Sequence, residues 1–208
     1  MNGQTLEKWD AKPWRESRYW GRLILQTPVD LWLFTELIEK TNPSVIVEVG
    51  MLEGGFFEWL YDATSHIECL ENRRAIIFGI DIETPSGIVK RRRVRVREVD
   101  SIFATKELHA VGLRSAIDLS RKRLDNRPVI FILDDDHAPA HVYKELESYS
   151  AICKPGDWIV VCDTVPVQGL AWTVSSWLET AEGREFVAEP VDRFGLSNHR
   201  GGWLRKVK

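Results

Sequence analysis

The 208-residue chain predicts an α/β fold, a mostly parallel sheet with helices on both faces. Three observations carry that reading: short apolar runs alternate with helical patterns, the first run breaks at glycine, and two C-terminal runs follow one another with no helix between. Residues 1–27 read as an irregular or partly helical lead-in, with Trp9, Trp14, Tyr19 and Trp20 as packing anchors, and residues 28–208 as one domain. From Asp30 the pattern LWLFTELIEK is helical and stops before Asn42-Pro43. SVIVEVG (44–50) is a buried strand, FFEWLYDATSHIECL (56–70) a helix, and AIIFGID (75–81) a second strand. RVRVREVD (93–100) alternates at period two as a third strand, and an amphipathic helix covers about 104–124. PVIFILD is the fourth strand, APAHVYKELESYSAI a helix, and DWIVVCD (157–163) the fifth strand. A helix near 171–182 leads to REFVAEP and GGWLRKV, an antiparallel pair at the sheet edge.

Composition narrows the function classes. Hydrophobic residues at 44% and charged residues at 28% are ordinary for a soluble domain. Net charge −3 and a pI near 6.0 give no global case for nucleic acid. The six basic residues of KRRRVRVR (90–97) fit an edge-proximal strand with a solvated face. Cys69, Cys153 and Cys162 lack zinc-like spacing and favour a reducing cytosol, so a cytoplasmic protein is expected. The N-terminus is polar, and no apolar run approaches the ~20 residues of a membrane helix. Nine tryptophans offer cleft walls as well as core. Trp158, Trp177 and Trp203 read as packing, and Trp172, after the fifth strand, as a residue at the cleft mouth.

In parallel sheets ligands bind beyond the carboxyl ends of the strands, and Glu48, Asp81, Asp100, Asp134 and Asp163 each close a strand. The first strand ends EVGMLEGG, where Gly50, Gly54 and Gly55 allow a tight turn and close approach of a ligand before a helix N-terminus. The spacing differs from the G-x-G-x-x-G that wraps a pyrophosphate. With Asp81 placed to accept ribose hydroxyls, it fits a nucleoside cofactor without pyrophosphate, pointing to S-adenosylmethionine rather than NAD. If the fourth and fifth strands are neighbours, Asp134 and Asp163 converge, and magnesium would offset their repulsion. His137, three residues on, has a suitable resting pKa for a general base. The competing reading makes Asp135 and Asp136 caps of the next helix and His137 a solvated loop residue; His141 reads as a helix-face residue.

Taken together, these residues resemble the cephalosporin hydroxylase family, whose fold is that of Rossmann-like class I S-adenosylmethionine-dependent methyltransferases with a seven-stranded sheet. The landmarks are YWGRLILQTPVDL, NPSVIVEVGMLEGG, FGIDIE, VDS, the long block from Ile132 to Thr164, and GGWLRK. The family is similar to macrolide sugar O-methyltransferases. The resemblance implies Asp134 and Asp163 as magnesium ligands, His137 as the base, and Glu48, Gly50, Gly54, Gly55, Asp81, Asp100, Ser101 and Asp135 around the cofactor. The implied acceptor is a hydroxylated small molecule, a sugar or other secondary metabolite or glycolipid; homo-oligomerisation stays open. Where relatives carry Glu-Asp after the fifth strand this chain has Cys162-Asp163, and a thiol is a poor magnesium ligand; Thr164, Asp135 or water would complete the set. Two alternatives stand beside this reading: an oxygenase, as the family name has it, and a non-catalytic cofactor-binding module.

Overall fold

The computed structural model describes residues 13–66, 75–88, 91, 93–104 and 113–208. Within the lead-in, a short 3-10 turn (Pro13–Glu16) precedes a small antiparallel hairpin, β1 (Arg18–Tyr19) and β2 (Arg22–Leu23), which the sequence pattern does not announce. Helix α1 (Pro28–Thr41) starts two residues before Asp30. Thr27 accepts from the Asp30 amide at 3.0 Å and donates to the Asp30 carboxylate at 2.6 Å, with Pro28 in the first turn. It ends at Asn42, left-handed at φ 44°, whose amide donates to the Ile38 carbonyl at 2.8 Å.

Seven strands form the main sheet: β3 (Val45–Val49), β4 (Ile76–Asp81), β5 (Val94–Glu98), β6 (Val129–Leu133), β7 (Trp158–Val161), β8 (Phe186–Ala188) and β9 (Trp203–Lys206). Their order is β5-β4-β3-β6-β7-β9-β8. The pairings from β5 to β7 are parallel, and β9 runs antiparallel to both β7 and β8. The expected seven-stranded sheet with an antiparallel C-terminal pair is therefore the fold observed. Strand parity divides the core into two layers. Val45, Val47, Val49, Phe131 and Leu133 pack with α3 (Leu113–Arg123), α4 (Pro139–Ser150) and α5 (Leu170–Leu178). Ile46, Ile130, Ile132, Val160 and Trp203 pack with α1 and α2 (Gly55–His66). Residues 67–70 of the expected second helix and 105–112 of the long one lie outside the described residues, as do Trp9, Cys69, Lys90 and Arg92.

The basic run serves the edge strand. Arg91 lies 2.7 Å from Glu58 and stacks over Tyr61, and Arg93 donates to the Ala75 carbonyl at 2.9 Å beside the same ring. Trp158, Trp177 and Trp203 are core residues, whereas Trp172 is 74% exposed. Cys153 and Cys162 are buried and unpaired. No helix among the described residues is long and apolar enough to cross a membrane.

Gly55, expected as part of a ligand-approach turn, packs closely against the protein on its Cβ side. A Cβ there would lie 2.2 Å from the Leu23 carbonyl oxygen, so the hairpin seats against the start of α2. Gly55→Ala should cost about 1–3 kcal/mol by overpacking, measured by denaturant unfolding; an unchanged midpoint would show that the hairpin does not dock there.

Candidate active site

Leu133 pairs with Val161, so β6 and β7 are parallel neighbours and the residues just beyond them enter one space. The Asp134 amide extends the ladder by donating to the Val49 carbonyl at 2.9 Å. Asp163 leaves its strand in left-handed backbone, φ 53°. His137 stands between the two acids, its Nε2 3.3 Å from Asp163 Oδ2 and 3.7 Å from Asp134 Oδ1. One donor atom from each of these three residues lies within 4.8 Å of the others.

The electrostatics follow from crowding. Burial, and then the charge of Asp163, push the Asp134 carboxyl up to about 8, against the opposing pull of His137, Cys162 and Gln26. The hydrogen bond to Asp163 raises His137 above its ordinary value, with burial opposing. Burial pushes the Cys162 thiol well up, so it stays protonated, a donor to Asp134 rather than a metal ligand.

Two further residues, unmarked by any motif, tie the acids together. The Asp163 amide donates to Nδ1 of His199 at 2.9 Å, so that nitrogen carries no proton. His199 Nε2–H then donates to Gln26 Oε1 at 2.8 Å, and Gln26 Nε2 donates to Asp134 Oδ2 at 2.8 Å. His199 is 1% exposed, and burial lowers its pKa. A one-way chain of donors therefore runs from the backbone of one acid to the carboxylate of the other. Neither Gln26, just before α1, nor His199, in the loop before β9, lies near the aspartates in sequence, and no local pattern signals the link.

On the neighbouring side, Gly50 turns at φ 85° so closely over the next strand end that a Cβ would lie 2.3 Å from the Asp134 carbonyl oxygen. The Gly54 amide closes the turn onto the Met51 carbonyl at 2.6 Å. Asp81 Oδ2 accepts from the Met51 and Leu52 amides at 2.6 and 3.3 Å, and Oδ1 from the Glu83 amide at 3.1 Å, so it pins the glycine turn. Glu48 is 1% exposed, and its Oε2 has no hydrogen-bond partner. Burial, then the charge of Asp134, raise its pKa well above the usual carboxylate range. Asp100 Oδ1 accepts from the Ile102 and Phe103 amides at 3.0 and 3.3 Å, capping the turn at 101–104. Asp136 accepts from the Ala138 amide at 2.9 Å, the capping role weighed for it.

Asp135 follows the opposite parity from Asp134 and joins a different group. Its Oδ2 lies 3.3 Å from His141 Nε2, which is 2.9 Å from Ser101 Oγ. His141 thus contacts Asp135, Ser101 and Glu145 rather than merely facing solvent from its helix. Buried Glu145 lies 3.7 Å from the same nitrogen. Burial, then the charge of Asp135, push Glu145 up to about 9.

Comparison with known proteins gives the family and the fold. A family model described as Rhamnosyl O-methyltransferase/CmcI matches residues 11–207. A rhamnosyl O-methyltransferase of Mycobacterium leprae is 24% identical over 154 residues, covering 73% of this chain and 62% of that protein. One from Mycobacterium tuberculosis is 22% identical over 151 residues, covering 73% and 58%. The match thus spans less than two thirds of these curated relatives. Among solved structures, CmcI with Mg and SAM aligns at TM-score 0.69 and 19% identity over 98% of this chain and 84% of that one. MycE, a methyltransferase of the mycinamycin biosynthetic pathway in complex with Mg and SAH, aligns at TM-score 0.52 and 18% identity over 74% and 44%. Both share the fold.

In metal-free protein, NMR titration of the imidazoles should place His137 above about 6.5 and His199 below it, with the His199 proton on Nε2. Asp163→Asn should lower the His137 pKa. A His199 that titrates like a solvated imidazole would contradict the donor chain.

Proposed function

Because the chain belongs to the Rhamnosyl O-methyltransferase/CmcI family, we propose that it transfers a methyl group from S-adenosylmethionine to a hydroxyl oxygen of a sugar or another polyhydroxylated metabolite or glycolipid, with magnesium at Asp134 and Asp163. The observation that carries this reading is the shared cleft of Asp134, His137 and Asp163 beside the glycine turn. The acceptor class rests on the curated relatives, which are rhamnosyl O-methyltransferases.

The residues fit both groups. Two carboxylates, one of them held near 8 by its neighbour and its burial, form an oxygen-donor pair that a hard divalent cation would relieve. Cys162 contributes no ligand, leaving the remaining positions to water and acceptor oxygens. For the cofactor, the unpartnered Glu48 oxygen offers a hydrogen-bond acceptor to a molecule that carries an ammonium. Asp81 accepts two amides on Oδ2 and one on Oδ1 to hold the turn, which leaves Oδ1 a lone pair for a ribose hydroxyl. Asp100 lies at the next strand end, where the nucleoside's base would sit, whereas Ser101 and Asp135 turn to His141.

When bound, magnesium supplies positive charge that lowers the pKa of the acceptor hydroxyl. His137 takes that proton on Nε2, the nitrogen that faces both acids. The acceptor oxygen displaces sulfur in line: the new oxygen–carbon bond forms as the carbon–sulfur pair returns to sulfur, releasing S-adenosylhomocysteine. The donor chain through His199 and Gln26 holds the Asp134 carboxylate in place throughout. Cys162, where the resemblance implies a glutamate, offers no hard oxygen donor, so occupancy of the cation site would depend on these two acids.

Cation binding should be coupled to proton release. Asp134, raised to about 8, and His137, raised above its ordinary value, both hold protons that a cation must displace, so affinity rises with pH and levels off above about 8. Below that it should fall by roughly tenfold per unit per proton displaced, read by calorimetry in buffers of different ionisation enthalpy; a flat response from pH 6 to 8 would contradict the assignment. Asp134→Ala should lose turnover on the order of 100-fold or more while S-adenosylmethionine binding persists. Asp81→Ala should instead lose cofactor binding. Loss of cofactor binding in Asp134→Ala would reassign Asp134, and a wild type that binds neither ligand would leave a non-catalytic module.

A further inference from the structure

We propose a second divalent-cation site, formed by Asp135, His141 and Glu145, across the loop from the first and sharing no ligand with it. The three donor atoms lie within 4.8 Å of one another. His141 Nε2 stands 3.3 Å from Asp135 Oδ2 and 3.7 Å from Glu145 Oε1. Ligands about 2.0–2.2 Å from a metal sit roughly 3–3.5 Å apart at tetrahedral or octahedral angles, so only slight closure is required. Ser101 Oγ, 2.9 Å from the same nitrogen, offers a fourth donor.

A second observation separates this group from an ordinary acidic patch. Glu145 is 0% exposed, and neither of its oxygens has a hydrogen-bond partner; Asp135 Oδ1 is likewise buried and unpartnered. Among the described residues, the ion pairs of both acids are with His141 alone. A carboxyl shut away from water in this way must hold a proton or meet a cation, and the imidazole and second carboxylate beside it favour the cation. On the far side of the ring, Nδ1 faces the exposed Asp136 carboxylate at 3.8 Å, beyond hydrogen-bond reach.

The donor set selects the ion. One imidazole nitrogen with two carboxylates suits Zn²⁺, Mn²⁺ or Co²⁺ better than magnesium, which prefers oxygen throughout. Asp135 belongs to the loop after β6, His141 and Glu145 to α4, and Ser101 to the turn after β5. A cation there would lock three segments that wall the cleft.

The test counts ions on the full chain. Metal-stripped protein dialysed against Mn²⁺ should take two equivalents. Asp163→Asn should keep one, and His141→Ala and Glu145→Gln should each keep the other. Zn²⁺ should raise the melting temperature of Asp163→Asn, whose first site is lost, but not of the double variant Asp163→Asn/His141→Ala. A wild type that takes one equivalent, lost in Asp163→Asn and kept in His141→Ala, would overturn this site, leave the first standing, and mean that Glu145 holds a proton instead. Two equivalents retained in His141→Ala would overturn it as well. Circular dichroism checks folding of the variants, and the wild-type count decides even if Glu145→Gln fails to fold.

Discussion

Glu48, Asp81, Asp134 and Asp163 converge from four strand ends on one edge of the sheet, and among the described residues no lysine or arginine forms an ion pair with any of them. A parallel sheet makes this crowding unavoidable once acids close neighbouring strands, because the register that pairs Leu133 with Val161 also carries Asp134 and Asp163 forward together. Separate devices offset the charge. Backbone amides absorb Asp81, burial raises the pKa of Glu48 and Asp134, and His137 takes the place of a counter-charge between Asp134 and Asp163. Each device leaves the edge receptive to something cationic.

Support for the acids comes from far along the chain. Gln26 sits at the mouth of α1 and His199 beyond the last helix, yet the donor chain through them fixes both the His199 tautomer and the Gln26 amide orientation. Asp30 strengthens that scaffold. Its buried carboxylate accepts from Ser197 Oγ at 2.5 Å and from Thr27, so the cap of α1 and the His199 loop share one anchor. Positioning by such a network keeps an acid's geometry independent of whether a ligand is present.

Much of this was legible in sequence because it depends on local periodicity. Apolar runs placed all seven strands of the main sheet, and the acid at each strand end gave the edge on which chemistry would lie. Asp134, His137 and Asp163 do meet, as their strand positions imply. What stayed hidden depends on long-range contact or on parity beyond a strand end. The β1–β2 hairpin is too short to show a period, and no local pattern announces the approach of Leu23 to Gly55. The Gln26–His199 link spans nearly the whole domain. Asp134, Asp135 and Asp136 are indistinguishable as a string, yet alternation sends the first toward Gln26 and the second toward His141, while the third caps a turn. The H-x-x-x-E spacing of His141 and Glu145 was visible but carries no signal until Glu145 is known to be buried.

Anomalous scattering from crystals grown with S-adenosylmethionine and Mn²⁺ examines the central claim most directly. The account predicts a manganese peak between the Asp134 and Asp163 carboxylates, with the nucleoside lying along the Glu48–Asp81 edge. Cofactor density in that cleft with no peak at the two aspartates would contradict it.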